Sequence, residues 1–164
     1  MRFDSPTVNL WISQPDFFKL AHFPREYIFS DFTYEGIREQ DGAPIGSLNG
    51  PLGPIRIFFN HYPSFEDGVS KWKERAERIH WDNLYYITSD GNGLTFKEME
   101  EFKDIECKNK VIFVSKDQPL DYCLTLKGFE KEKSAARHML IKHKFISTKY
   151  VWEDSFDYVA FLNH

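Results

Sequence analysis

This chain of 164 residues has few cysteines, no excess of basic residues and no long apolar run. Its only cysteines, Cys107 and Cys123, stand far apart with no CxxC pair, which excludes a disulfide framework and favours a reduced, cytoplasmic compartment. The net charge of −4 supplies no positive field for nucleic acid. No apolar run approaches the roughly 20 residues that cross a bilayer, and the start MRFDSPTVNL lacks the apolar region of a signal peptide. We therefore expect no nucleic-acid partner and no membrane span.

Catalytic and cofactor motifs are missing as well. The chain contains no GxGxxG, GxxxxGK[ST], GxSxG or HExxH pattern, so no cofactor is indicated and we expect no metal site. Aromatic residues, in contrast, make up 17% of the chain, with 16 phenylalanines. An aromatic-rich core explains them most simply, and an aromatic binding surface is the alternative.

Helix starts are well marked. Ser13 is placed to cap a helix with Asp16 three residues later, after an apolar strand over 7–12. Ser64 with Asp67, and Thr95 with Glu98, repeat the same spacing before two further helices.

The helix after Ser64 carries one apolar stripe. Its members recur at helical spacing and should face the core: Phe65, Val69, Trp72, Ala76 and Ile79. The charged residues between them are expected on the solvent face: Glu66, Lys71, Glu74, Arg75, Glu77 and Arg78.

Apolar segments at 55–59, 84–88 and 110–115 alternate with these helices, which predicts a βαβαβ unit. Residues 24–54 are rich in Gly and Pro and predict loops with one or two short strands, and 122–126 predicts a further strand. The fold class is therefore α/β, a parallel or mixed sheet with helices on both faces, in a single domain covering 1–164.

Ligands of open parallel sheets bind beyond the carboxyl ends of the strands. The polar residues that follow the three predicted strands are Asn60, His61, Ser89, Asp90, Asn92, Lys116 and Asp117. We expect His61 and Asp90 to be catalytic, as acid or base and as hydroxyl acceptor, with Asn60, Ser89, Asn92 and Lys116 binding the ligand. The alternative is structural, because SDGNG is also an ordinary turn and Lys116 with Asp117 also suits a solvated pair.

Three segments carry a resemblance to a known family: SPTVNLWISQPDFFKL, HYPSFEDGVSKWKERAERIHWDNLYYITSD and FDYVAFLN. They resemble the bacterial domain-of-unknown-function family 1919, often labelled exopolysaccharide biosynthesis protein. The resemblance implies a cytoplasmic α/β protein encoded near polysaccharide genes, and it implies no known reaction. We expect handling of a sugar or nucleotide sugar, with transferase chemistry, as its activity. A non-catalytic interaction protein, or a remnant of such an enzyme, is the alternative, so whether the chain is an enzyme stays open.

One departure from that family concerns the amino terminus. Its members begin with an additional strand that ends in an Asn-Asn-Cys-like turn and a glycine pair, whereas this chain begins at Met1 beyond that point. We expect the chain to lack that strand and whatever part of the site it carries. The sheet edge left open would favour a homo-oligomer.

Overall fold

A computed structural model describes residues 5–91, 94–135 and 150–162. The chain divides into two compact units, Met1–Asp82 and Asn83–His164. The expectation of one domain over 1–164 stays a prediction.

The first unit combines four strands with three helices. They are β1 (Trp11–Ile12), α1 (Gln14–His22), α2 (Pro24–Ile28), β2 (Phe32–Ile37), β3 (Pro44–Leu48), β4 (Ile55–Phe58) and α3 (Phe65–Ala76). The sheet order is β1-β4-β3-β2, and every neighbouring pair is antiparallel.

Two expectations for this unit are wrong. The strand at 55–59 was expected in a parallel sheet, but β4 pairs antiparallel with β1 and β3. The connections from β2 to β3 and from β3 to β4 are short, and short connections join antiparallel strands. The strand expected over 7–12 is reduced to β1, because residues 6–9 form a turn with Asn9 at a left-handed φ of 63°.

The predicted starts of α1 and α3 are confirmed. Ser13 Oγ accepts a hydrogen bond from the amide of Asp16 at 3.2 Å, and Ser64 Oγ accepts one from the amide of Asp67 at 3.1 Å. Each bond satisfies a first-turn amide that has no partner inside its helix.

The stripe of α3 packs as expected. Trp72 and Ala76 are buried in the core of this unit, and the remaining members, Phe65, Val69 and Ile79, pack against that core half-buried. The indole of Trp72 also donates to the carbonyl of Ile28 at 2.9 Å. Arg75 was expected on the solvent face of this helix, and that prediction is wrong, because the residue is only 9% exposed. It lies three residues after Trp72 and next to Ala76, so it shares their buried side of the helix.

The second unit holds a parallel sheet. Its elements are β5 (Tyr85–Ser89), α4 (Phe96–Glu101), a 3₁₀ turn (Phe102–Asp104), β6 (Asn109–Val114), β7 (Cys123–Thr125), a second 3₁₀ turn (Val151–Asp154) and α5 (Tyr158–Leu162). The strands run parallel in the order β5-β6-β7. The capping box of Thr95 and Glu98 is confirmed in both directions at the start of α4.

The α/β class is supported, because the chain combines helices with strands that pair in both antiparallel and parallel directions. Helices on both faces of the sheet stay a prediction. Among the described residues, no helix has the length and apolar character needed to cross a bilayer.

Candidate functional site

The carboxyl edge of the parallel sheet collects the polar residues that follow β5, β6 and β7. Ser89 at the end of β5 is in register with Phe113 of β6, and Val114 of β6 with Thr125 of β7. The three strands therefore end at nearly the same level. Loops leaving such an edge are where α/β sheets bind ligands.

The side chain of Asp90 forms several hydrogen bonds at this edge. Its Oδ2 accepts hydrogen bonds from the Ser115 amide at 2.7 Å and from the Ser115 hydroxyl at 2.9 Å, and its Oδ1 accepts one from the Ala135 amide at 2.6 Å. Its own amide donates to the Phe113 carbonyl at 2.9 Å. One half-buried carboxylate thus joins the ends of β5 and β6 to the segment at Ala135.

Through these contacts Asp90 holds the loops after β5 and β6 and the segment at Ala135 in position. Both carboxylate oxygens are occupied by donors of the chain itself, and Ser115 is buried to 2% exposure. A carboxylate used in this way holds loops in place, whereas a base needs a free lone pair facing the substrate. The predicted catalytic role of Asp90 stays a prediction, and the geometry favours a supporting one.

Other predicted residues of this edge differ in exposure. Ser89 is buried, while Lys116 and Asp117 are exposed to solvent. Asp117 accepts a hydrogen bond from Thr125 Oγ1 at 3.3 Å, which links the ends of β6 and β7. Lys116 therefore offers an exposed ammonium at the edge. Asn92 lies outside the described residues.

The thiol of Cys123, at the start of β7, has a raised pKa. Burial raises the pKa of its thiol from 9.0 to about 11, and the negative charges of Asp121 and Asp90 add to the shift. The thiolate is the reactive form of cysteine, so this residue is a poor nucleophile at neutral pH.

Asn60 and His61 belong to the first unit. They follow β4 and are exposed, and Asn60 Oδ1 accepts a hydrogen bond from Arg38 Nη2 at 2.9 Å. Because β4 belongs to the antiparallel sheet, the argument that brought His61 and Asp90 to one parallel edge is wrong. A site shared by these two residues stays a prediction without that support.

Among the described residues, no three His, Cys, Asp or Glu side chains group closely enough to hold a metal ion. An open depression of about 530 Å³ is lined by one continuous segment, 153–158. A surface made by six consecutive residues is the outside of a turn rather than a cleft between elements.

Ser115 and Ala135 were missed as partners of this edge. Ser115 ends the apolar segment KVIFVS, so a polar residue at a strand end was the available signal. Ala135 contributes only a backbone amide, and that leaves no mark in a side-chain pattern.

Comparison with known proteins places the chain in a family. The model of the family described as "Domain of unknown function (DUF1919)" matches residues 1–163. The chain is also similar to an uncharacterized protein of Haemophilus influenzae, with 32% identity over 163 residues, which cover 99% of this chain and 75% of that relative. The matching segment includes both units, and with it the parallel edge described above. This chain therefore belongs to the DUF1919 family.

Proposed function

We propose that the carboxyl edge of the β5-β6-β7 sheet binds a sugar or nucleotide sugar in the assembly of a bacterial surface polysaccharide, with group transfer as the reaction class. The polysaccharide setting follows from the family resemblance. The structural support comes from the edge itself. The observation that carries the proposal is the Asp90 carboxylate, which accepts three hydrogen bonds from Ser115 and Ala135.

A polar network of this kind exceeds what a turn requires. An ordinary turn closes with one backbone bond, whereas Asp90 immobilises the ends of two strands and a segment that is distant in sequence. Binding sites gain affinity when their loops are ordered before the ligand arrives. The Asp90 network therefore supports a preorganised ligand edge.

Lys116 supplies a positive charge for the phosphate groups of such a ligand. Lys116 is exposed and stands two residues after the end of β6, beside Ser115 in the chain. Lysine binds phosphate groups as a point charge. A nucleotide sugar would offer its diphosphate to Lys116 and its hydroxyls to the backbone around Gly91. In this arrangement Lys116 contacts the ligand and Asp90 positions the loops.

A thermal-shift titration with nucleotide sugars tests the proposal. Ligand at a hundredfold excess over Kd should stabilise the wild type by about 2.7 kcal/mol, because it binds the folded state alone. Lys116→Ala should lose most of this response. Lys108→Ala is the matched control, since it removes the same charge from an exposed position at the opposite end of β6.

An unchanged wild-type melting temperature across the nucleotide sugars would contradict the proposal. An equal loss of response in Lys116→Ala and Lys108→Ala would point to unspecific charge attraction instead.

A second candidate function is a non-catalytic interaction protein, and edge strand β2 favours it. Tyr34 and Ile37 of β2 are 54% and 60% exposed, and among the described residues β2 pairs only with β3. Exposed apolar side chains on an edge strand are typical of contact with another chain. Sedimentation analysis of the wild type and of Ile37→Lys separates the candidates, because an oligomer formed through β2 should dissociate in the variant.

A further inference from the structure

Arg75 is a buried cation on the core side of α3. The residue is 9% exposed, and arginine keeps its proton in proteins. In the described part of the chain no carboxylate forms an ion pair with it, although Lys73 and Arg78 on either side each have one. Buried charges are ordinarily paired, because an isolated one loses its hydration without replacement.

The contacts that Arg75 makes with described residues involve one of its three side-chain nitrogens. Nη1 donates to the carbonyl of Val8 at 2.9 Å and to the hydroxyl oxygen of Tyr62 at 2.9 Å. Within residues 5–91, 94–135 and 150–162, Nε and Nη2 have no acceptor. The edge of the guanidinium that carries these two nitrogens is the one that binds carboxylates and phosphates with two parallel hydrogen bonds.

The neutral partners of Arg75 fix its orientation. The Val8 carbonyl is presented by the turn at residues 6–9, in which Asn9 adopts a left-handed φ of 63°. The ring of Tyr62 packs at right angles to the buried ring of Phe59, with centroids 6.0 Å apart. A guanidinium held on one side by two anchored acceptors presents its other side in a defined direction.

Tyr62 holds the guanidinium from the side of Nη1. Its oxygen accepts a hydrogen bond from Nη1 at 2.9 Å, which leaves the edge that carries Nε and Nη2 on the other side of the group. A carboxylate or phosphate supplies the two oxygens that this pair of donors requires.

We propose that Arg75 and Tyr62 form an oxyanion-binding site in the first unit, held in place by the turn at residues 6–9. The site takes a phosphate or carboxylate group through Nε and Nη2 of Arg75, while the Tyr62 oxygen and the Val8 carbonyl hold Nη1 in place. It is independent of the parallel edge in the second unit, and the proposal does not rest on the function proposed there.

The test follows the Nε–H resonance of Arg75 in the full chain by ¹⁵N NMR at constant ionic strength, with chloride as the baseline anion. Inorganic phosphate, uridine diphosphate and glucuronate are titrated separately to millimolar concentration. A saturable shift with phosphate and uridine diphosphate alone identifies a phosphate ligand, and one with glucuronate alone identifies an acidic sugar.

Variants assign the binding to the proposed groups. Arg75→Lys keeps the charge and loses the paired donors, so Kd should rise by about tenfold or more, the usual effect of losing a hydrogen bond to a charged group. Arg78→Lys is the matched control, at an exposed position beyond the same helix, and should bind like the wild type. Because Arg75→Lys also removes buried contacts, Tyr62→Phe serves as a second variant that retains the ring and should weaken binding severalfold.

The proposal is overturned if none of the three anions moves the Arg75 Nε–H resonance. It is equally overturned if Tyr62→Phe binds as tightly as the wild type, or if Arg78→Lys weakens binding as much as Arg75→Lys does.

Discussion

Substituting Gly68 by alanine tests the packing of α3 most sharply, because two effects of opposite sign compete. Glycine inside a helix is less favourable than alanine by about 1 kcal/mol, so propensity alone predicts a more stable variant. In the structure, however, a Cβ at Gly68 would lie 2.3 Å from Cδ1 and 2.7 Å from Cγ of Phe59. Carbon atoms in ordinary contact are about 3.5–4.0 Å apart, so the ring must move by more than roughly 1 Å.

The Phe59 ring has little room for that movement. It is completely buried, and its centroid lies 5.4 Å from that of Phe32, 5.8 Å from that of Phe65 and 6.0 Å from that of Tyr62. Overpacking a core costs about 1–3 kcal/mol, and an overlap this deep belongs at the upper end of the range. After the gain in helix propensity, we expect Gly68→Ala to lower the free energy of unfolding by about 1–2 kcal/mol.

Urea denaturation followed by circular dichroism measures this difference, provided that the m value is unchanged. Ser70→Ala, at an exposed position of the same helix, is the control and should be neutral or slightly stabilising. In a Phe59→Leu background the smaller side chain should relieve the overlap, so Gly68→Ala should cost less there than in the wild type. A Gly68→Ala protein more stable than the wild type would show that the Phe59 ring moves aside without the expected cost.

Three further predictions concern single side chains. Trp72→Ala should lower the free energy of unfolding by about 3–5 kcal/mol in urea denaturation, because it empties a fully buried site and removes the bond to Ile28. Thr95→Ala should cost about 1 kcal/mol by the same assay while Thr95→Ser retains most of the stability, since serine preserves the cap shared with Glu98. Cys123 should react with iodoacetamide about 100-fold more slowly at pH 8 than a thiol of pKa 9.0, because its pKa of about 11 reduces the thiolate fraction, and its rate should rise with pH toward 11. A Cys123 rate equal to that of the urea-unfolded chain would show that the thiol is not suppressed.

Local features of the fold were predictable from the sequence because their signals are local. Ser13, Ser64 and Thr95 cap helices through a bond to a residue three positions later, and this spacing is visible in the chain. The apolar stripe of α3 is equally visible, because residues on one helix face recur every three or four positions.

Strand partners were not predictable in the same way. An apolar segment such as 55–59 suits either pairing direction, and the direction is decided by the connections around it. Residues 24–54 were expected to form loops with one or two short strands, and they do hold two strands, β2 and β3, but also the helix α2. The direction of the β2-β3 hairpin, which makes β4 antiparallel, was not visible in the sequence.

The hydrogen bonds that build the two proposed sites were also difficult to predict from the sequence. Asp90 was identified from its position after a strand, but two of its donors are backbone amides, of Ser115 and Ala135. Arg75 was placed on the solvent face because it is charged, and its burial depends on acceptors from Val8 and Tyr62, which are distant in the chain.

An amide-shift titration shows whether a ligand binds at the carboxyl edge of the parallel sheet. In ¹⁵N–¹H spectra recorded with increasing nucleotide sugar, binding at this edge should produce saturable changes at the amides of Asp90, Gly91, Ser115 and Lys116, with the same Kd at each. Saturable changes confined to Met1–Asp82, or no saturable change anywhere in the chain, would contradict binding at this edge.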